Sequence, residues 1–190
     1  CDEMACLGDI AGFDRRFYRH ELKRSASTCL SLIRANCRWI VAGNHDLSAS
    51  LRFPEYTNGF TYPDNWYELS HDEKKRMADG RVWTYEGDSP NDLKSDELDF
   101  LGRIPEYINV CIDGADCLFS HYIFPDFTGS TTRYVEKHSQ LRELWEFMDQ
   151  IGARYAFAGH SHATFTGFAY RKNNTLMLPF MKAVQSLPHD

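Results

Sequence analysis

Four short stretches of this sequence carry side chains that can bind cations or move protons, and each follows an apolar run. They are Gly8-Asp9, Gly43-Asn44-His45-Asp46, Ser120-His121 and Gly159-His160-Ser161-His162. Asp9 offers a carboxylate that can bridge two ions. Asn44 offers a carbonyl oxygen, His45 an imidazole, and Asp46 a carboxylate to orient that imidazole. His160 and His162 can each face a different ion. Oxygen and imidazole ligands without thiolates suit Mn, Fe, Zn or Ni rather than a soft-metal site. Two ions about 4 Å apart clamp the attacking and leaving oxygens of an in-line phosphoryl displacement, and they pull the pKa of bound water towards roughly 7. Singly, each stretch has a plain structural reading: Asp9 as a turn residue, His121 as a satisfied buried histidine, Asn44-His45-Asp46 as a polar helix start. All four in order, each at a strand end, make a constellation.

Such groups meet only if the strands that carry them lie side by side, since ligands gather beyond strand ends in open α/β sheets. Met4–Leu7 reads as a buried strand ending at Asp9. Leu22, Ala26, Cys29, Leu30 and Ile33 recur at helical spacing and predict an amphipathic helix over about 15–36. Trp39–Ala42 is the next strand, so the opening predicts a parallel βαβ unit. Tyr107–Ile112 and Cys117–Ser120 flank Asp113-Gly114, a strong hairpin signal. A Gly/Thr-rich loop follows over about 122–135. Leu141, Leu144, Trp145, Met148 and Ile151 mark a helix stopped by Gly152. Tyr155–Ala158 is a further strand, and Phe165–Tyr170 with Thr175–Phe180 predicts a last hairpin around Asn173-Asn174.

Residues 47–105 are irregular, and 47–90 are rich in aromatics. Ser70-His71-Asp72-Glu73 fits a capping box opening a helix that ends near Gly80. Ser95 is placed to cap another, with Leu98 and Leu101 inward and Gly102 and Pro105 closing it. The region reads either as a flap over a site, where its rings could stack a nucleobase, or as a satellite cluster under long loops. Arg15, Arg16, Tyr134 and His138 are candidate pocket residues, equally explained as surface groups.

The 190 residues suffice for one domain over 1–190. The net charge is −6 with no basic tract, so the overall field does not favour a nucleic-acid backbone, and polymeric nucleic acid is not an expected partner. No apolar stretch approaches a membrane span. The six cysteines form no Cys-x-x-Cys pair and sit in mostly apolar settings, which predicts buried free thiols in a reducing compartment, a cytoplasmic location. The sequence starts at Cys1 and enters a strand almost at once, as though its beginning lay upstream. The oligomeric state is not legible.

The motif series Leu7-Gly8-Asp9, Gly43-Asn44-His45-Asp46, Ser120-His121 and Gly159-His160-Ser161-His162 resembles that of the calcineurin-like metallophosphoesterases. Gly8-Asp9-Ile10-Ala11-Gly12-Phe13 resembles the small bacterial phosphodiesterase branch related to diadenosine tetraphosphatase. The resemblance implies an α/β protein, a four-layer α/β/β/α sandwich with a dinuclear centre of two divalent metal ions, manganese favoured. It implies that Asp9 bridges both ions, that Asn44, His121 and His160 complete one site, and that His162 binds the other ion. His45 would contact the substrate phosphate and protonate the leaving group, Asp46 would orient it, and a metal-bridging hydroxide would be the nucleophile. The implied substrate is a small-molecule phosphodiester or nucleotide-type phosphate ester.

The family also carries an Asp-x-His motif at the end of its first strand, and no Asp-x-His occurs in these 190 residues. Asp14 stands where the small branch often has glycine. Either the first strand lies upstream of Cys1, which is the expectation, or the site is naturally reduced. A reduced site opens two alternatives: a non-catalytic interaction module of this fold, or a mononuclear hydrolase using Asp9, Asn44, His121 and His160.

Overall fold

The computed structural model describes residues 3–15 and 24–161, and the backbone of two further strands. The chain opens with the expected parallel βαβ unit. Strand β1 (Ala5–Cys6) pairs with β2 (Trp39–Ile40), Ala5 opposite Trp39 and Cys6 opposite Ile40. Both strands are shorter than their apolar runs, although the Val41 N–H still donates to Cys6 O at 3.1 Å. The Ala42 N–H turns away to Pro105 O at 2.8 Å. Helix α1 (Ala26–Asn36) starts later than its periodicity predicts, because Ser25 caps it through Oγ, which accepts from Thr28 N at 3.0 Å. Asp92 completes the cap by accepting from Ser27 N and Ser25 Oγ. Leu22 lies outside the described residues.

Helix α2 (Asn44–Ala49) begins directly after Gly43, and the irregular region supplies α3 (His71–Ala78) and α4 (Ser95–Leu101). The α3 capping box is present, with Ser70 Oγ accepting from Glu73 N and Glu73 accepting from Ser70 N. In α4 the cap is Lys94 rather than Ser95, and Glu97 accepts from the Lys94 N–H at 2.8 Å. Strands β3 (Tyr107–Ile112) and β4 (Ala115–Ser120) form the expected hairpin, with positive φ at both Asp113 and Gly114. A 3-10 turn (His138–Leu141) leads into α5 (Arg142–Ile151), which returns the chain to β5 (Tyr155–Phe157), parallel to β4. Strands β6 (Phe168–Tyr170) and β7 (Thr175–Met177) pair antiparallel; the turn expected between them lies outside the described residues.

Alternation along the strands assigns the layers. Leu30, Leu47 and Leu101 from α1, α2 and α4 pack with Ala42 on one side of the first sheet. Val41, on the opposite face of the same run, packs with Cys117 and Phe119 of β4, and Trp39 stacks on Phe119 at 5.6 Å. Leu118, between those two β4 residues, faces away and packs with Leu144 and Met148 of α5. The order helix, sheet, sheet, helix is the α/β/β/α sandwich expected from the sequence.

The aromatic region divides in two. Phe60, Trp66, Ala78 and Val82 form a separate buried cluster, the satellite reading. Residues 81–89 are instead a strap sewn down at both ends. Trp83 N donates to Ser130 O and Thr132 N to Arg81 O; further on, Ser89 N donates to Phe13 O and Arg15 N to Gly87 O. Among the described residues no helix is long and apolar enough to cross a membrane. The five described cysteines are free thiols, but Cys29 and Cys111 are exposed, against the expectation of burial: each falls on the solvent side of its amphipathic element.

Candidate metal centre

The strand ends converge. Asp9 follows β1 in the left-handed region, at φ 55°, and its carboxylate spans the gap between the two sheets. Oδ1 accepts from the His45 N–H at 3.2 Å, while Oδ2 lies 3.1 Å from His121 Nε2. His160, after β5, is also left-handed at φ 66°, and its Nδ1 lies 3.2 Å from His121 Nε2. Non-glycine residues held in this region cost energy and cluster where function requires the geometry. Asn44, at the first position of α2, is buried, and its Oδ1 accepts no hydrogen bond from the described residues.

His121 is the hub of these contacts. Its Nδ1 lies 2.6 Å from Leu7 O, a pure acceptor, so Nδ1 carries the proton. In the neutral ring Nε2 is then a lone pair aimed at the Asp9 carboxylate and at His160. That alignment is repulsive unless a proton or a cation sits between them. Burial opposes a charged His121, yet the Asp9 hydrogen bond and charge prevail and raise its pKa. Burial likewise opposes charge on Asp9, while His121, His45 and the His45 N–H hold its carboxyl below the usual range. A proton and a divalent cation would compete for this position. Among the described residues no three His, Cys, Asp or Glu side chains surround one common point; the contacts run pairwise through His121. The donor types, the Nδ1-anchored His121 and the orphaned Asn44 carbonyl nevertheless fit a divalent cation. His162 lies outside the described residues.

His45 sits on the edge of this cluster, and its partner corrects the sequence reading. Nδ1 donates to Asp88 Oδ2 at 2.7 Å, not to Asp46. Asp46 is the third residue of α2, and a carboxylate there folds back onto the cap. It accepts from Gly43 N at 3.0 Å and from Ala11 N at 2.8 Å, fully buried beneath the loop. Burial and the Asp9 charge push its carboxyl up to about 6. For His45, burial opposes protonation, but Asp88, Asp9 and Asp46 outweigh it and raise its pKa. Asp88 arrives on the strap with Tyr85, whose ring meets His45 edge-on at 5.2 Å. Neither residue carries a sequence signal, since Glu86-Gly87-Asp88-Ser89-Pro90 reads as any polar turn.

Two glycines make room for the imidazoles. A Cβ on Gly12 would stand 2.3 Å from the His45 Cβ, and one on Gly129 would stand 2.5 Å from His160 Nδ1. Of the other candidates, Tyr134 stacks on His160 with ring centroids 5.7 Å apart, whereas His138 packs beside Trp145, towards α5. Arg15 is exposed, and Arg16 lies outside the described residues. Beyond Gly12, a cavity of about 270 Å³ opens between Phe13, Arg24, Ser89 and Asp92, with the Arg24 guanidinium 4.7 Å above the Phe13 ring.

A sandwich with oxygen and imidazole donors at its strand ends defines a class: α/β proteins with a candidate divalent-metal site between two sheets. The chain belongs to the calcineurin-like phosphoesterase family, whose model matches residues 2–164. No curated protein matches it. Among solved structures it is similar to a hypothetical protein from Pyrococcus horikoshii OT3, at 11% identity and a TM-score of 0.46, covering 95% of this chain and 76% of that one.

Proposed function

We propose that this chain is a metal-dependent phosphoesterase acting on a phosphodiester or nucleotide-type phosphate ester. The observation that carries the reading is the contact of His121 with both Asp9 and His160, with the His45–Asp88 pair and the buried Asn44 at the start of the adjoining helix. Asp9, Asn44, His121 and His160 would hold one divalent ion, manganese favoured; a second ion would draw on His162. A bound cation of this kind polarises a phosphoryl oxygen and lowers the pKa of water. The chain's own residues supply the rest. Asp88 fixes the His45 tautomer with Nδ1 protonated and favours the imidazolium, leaving Nε2 to deliver a proton to a departing oxygen. The His45 N–H and the His121 ring hold the Asp9 carboxylate in place. The cavity beyond Gly12 offers a guanidinium over an aromatic ring, a surface suited to the non-phosphate part of a diester.

The test is hydrolysis of bis(p-nitrophenyl) phosphate by Mn²⁺-loaded protein. The expected result is turnover that falls on the order of 10²–10⁴-fold in His45→Ala, the usual range for a general acid. Absence of turnover in the loaded wild-type protein would favour the interaction-module alternative, and unchanged turnover in His45→Ala would remove the general acid.

A further inference from the structure

The cavity of about 270 Å³ beyond Gly12 is built from three segments that hydrogen bonds tie into one frame. Ser89 N donates to Phe13 O at 2.9 Å, joining the strap to the loop after β1. Asp92, three residues on, joins this segment to the start of α1, accepting from Ser25 Oγ at 2.6 Å and from Ser27 N at 3.1 Å. Both Asp92 oxygens are thus occupied, and that carboxylate fills the place an anion would take at the helix end. Ser89 is different. It is 7% exposed, it lines the cavity, and its Oγ is buried with no hydrogen-bond partner among the described residues. Buried polar groups are nearly always paired, so an orphaned hydroxyl in a cavity wall marks a place for a ligand atom.

The lining selects the ligand. Phe13 supplies an aromatic ring, and the Arg24 guanidinium lies 4.7 Å from its centroid. Planar heterocycles stack on both kinds of surface. Arg24 and Asp92 bring one charge of each sign, so the cavity offers no net charge to a second phosphate. Ser89 can give a proton to a ring nitrogen or carbonyl oxygen, or accept one from an amino group. The volume lies just below the ordinary range of small-molecule pockets, about 300–1,000 Å³, which leaves room for one nucleoside. The position selects the side of the scissile bond. Gly12 lines the cavity and packs on His45, where a Cβ on Gly12 would stand 2.3 Å from the His45 Cβ. Ser89 directly follows Asp88, which binds His45 Nδ1. The cavity therefore adjoins the proton donor, and a general acid serves the departing oxygen.

We propose that this cavity is the leaving-group subsite, that it takes the base of an uncharged nucleoside, and that Ser89 is a specificity-determining residue hydrogen-bonded to that base. The inference rests on the phosphoesterase reading above, with His45 as its general acid. In the reaction the oxygen of water bonds to phosphorus, the bond from phosphorus to the nucleoside oxygen breaks, and His45 Nε2 gives that oxygen its proton. A proton of the attacking water returns, through solvent, to the imidazole. The nucleoside departs, and the phosphate remains as a monoester of the other alcohol.

Two measurements test it, with thermal unfolding as the folding control for each variant. Isothermal titration of the metal-free protein with adenosine reads the cavity apart from the metal centre. Wild type binds adenosine one-to-one with a Kd of about 1 mM or tighter, as one stacked base and one hydrogen bond can supply. Ser89→Ala weakens this about three- to tenfold, the net worth of one hydrogen bond. Phe13→Leu weakens it about fivefold, the low end of base stacking. Product analysis of Mn²⁺-loaded protein acting on adenosine 5′-(methyl phosphate) reads the side of the bond. Adenosine and methyl phosphate are the expected products; methanol and adenosine 5′-monophosphate overturn the leaving-group assignment. Adenosine that does not bind, or that binds wild type and Ser89→Ala alike, overturns the subsite, and the phosphoesterase reading stands if bis(p-nitrophenyl) phosphate is still hydrolysed. Adenosine binding by a loaded protein that hydrolyses neither diester removes the phosphoesterase reading and the leaving-group role with it.

Discussion

His45 is held by a carboxylate that lies forty-three positions away in sequence. Asp46, its immediate neighbour, is occupied with the N–H groups of Gly43 and Ala11. A residue beside a histidine on a helix points elsewhere, while one brought in from another segment can approach the ring in its plane. The expected consequence is kinetic. Asp88→Asn keeps the shape and removes the negative charge, so kcat for phosphodiester hydrolysis should fall about ten- to a hundredfold, part of the full general-acid contribution. Mn²⁺ content should stay the same, since Asp88 touches no proposed ligand. Steady-state kinetics with elemental analysis of the same samples checks both. An unchanged kcat would return the orienting role to another group. At this scale the sequence is legible for donors that follow an apolar strand: Asp9, Asn44, His45, His121 and His160. It is silent for Tyr85 and Asp88, whose contacts with His45 come from where a loop is pinned and not from what surrounds them in sequence.

Helix α2 carries both Asn44 and His45, and it is only six residues long, too short to hold its own position. Its C-terminal end is tied down by Arg52. That guanidinium donates to Ile104 O at 2.6 Å and to Glu106 Oε1 at 3.0 Å, while the Glu55 N–H reaches the same carboxylate oxygen. Glu106 is 4% exposed, and burial pushes its carboxyl up, against the opposing pull of the Glu55 N–H and Arg52. Because the folded protein favours the protonated form, the stability this group contributes is complete below the ordinary value of 4.5 and is lost as pH rises through the higher folded value. Removing Arg52 raises that folded value further. Arg52→Ala should therefore cost about 3–5 kcal/mol at pH 8, the range for an orphaned buried charge, and less at pH 5, where Glu106 can take up a proton. Urea unfolding at the two pH values measures the difference, and an equal loss at both would mean that Glu106 is solvated after all. The helix itself was readable from Gly43 and the polar run after it. Its anchor was not, since an Arg and a Glu more than fifty residues apart leave no periodic trace.

At the scale of the whole molecule the donors come from two halves. Asp9, Asn44 and His45 follow β1 and β2, whereas His121 and His160 follow β4 and β5. Among the described residues no strand pairing joins those sheets. They meet through the apolar contact of Val41 with Cys117 and Phe119, and through His121, which reaches both Leu7 O and Asp9. A cation held, as proposed, by Asp9 and Asn44 from one half and by His121 and His160 from the other would be a cross-link between the two layers. Anything that binds only the folded state stabilises it by mass action, about 2.7 kcal/mol at a hundred times Kd. For a chain of this size that corresponds to a rise in Tm of roughly 5–11 °C. The rise should be reversed by EDTA. It should disappear in His121→Ala, which removes the residue through which the two halves touch at the site. In Asp88→Asn it should persist, because that variant alters the proton donor without altering the donors to the cation. Thermal unfolding with and without Mn²⁺ in the three proteins distinguishes a cross-link from general ion binding: an equal rise in all three would place the cation elsewhere on this acidic surface, away from the junction of the sheets.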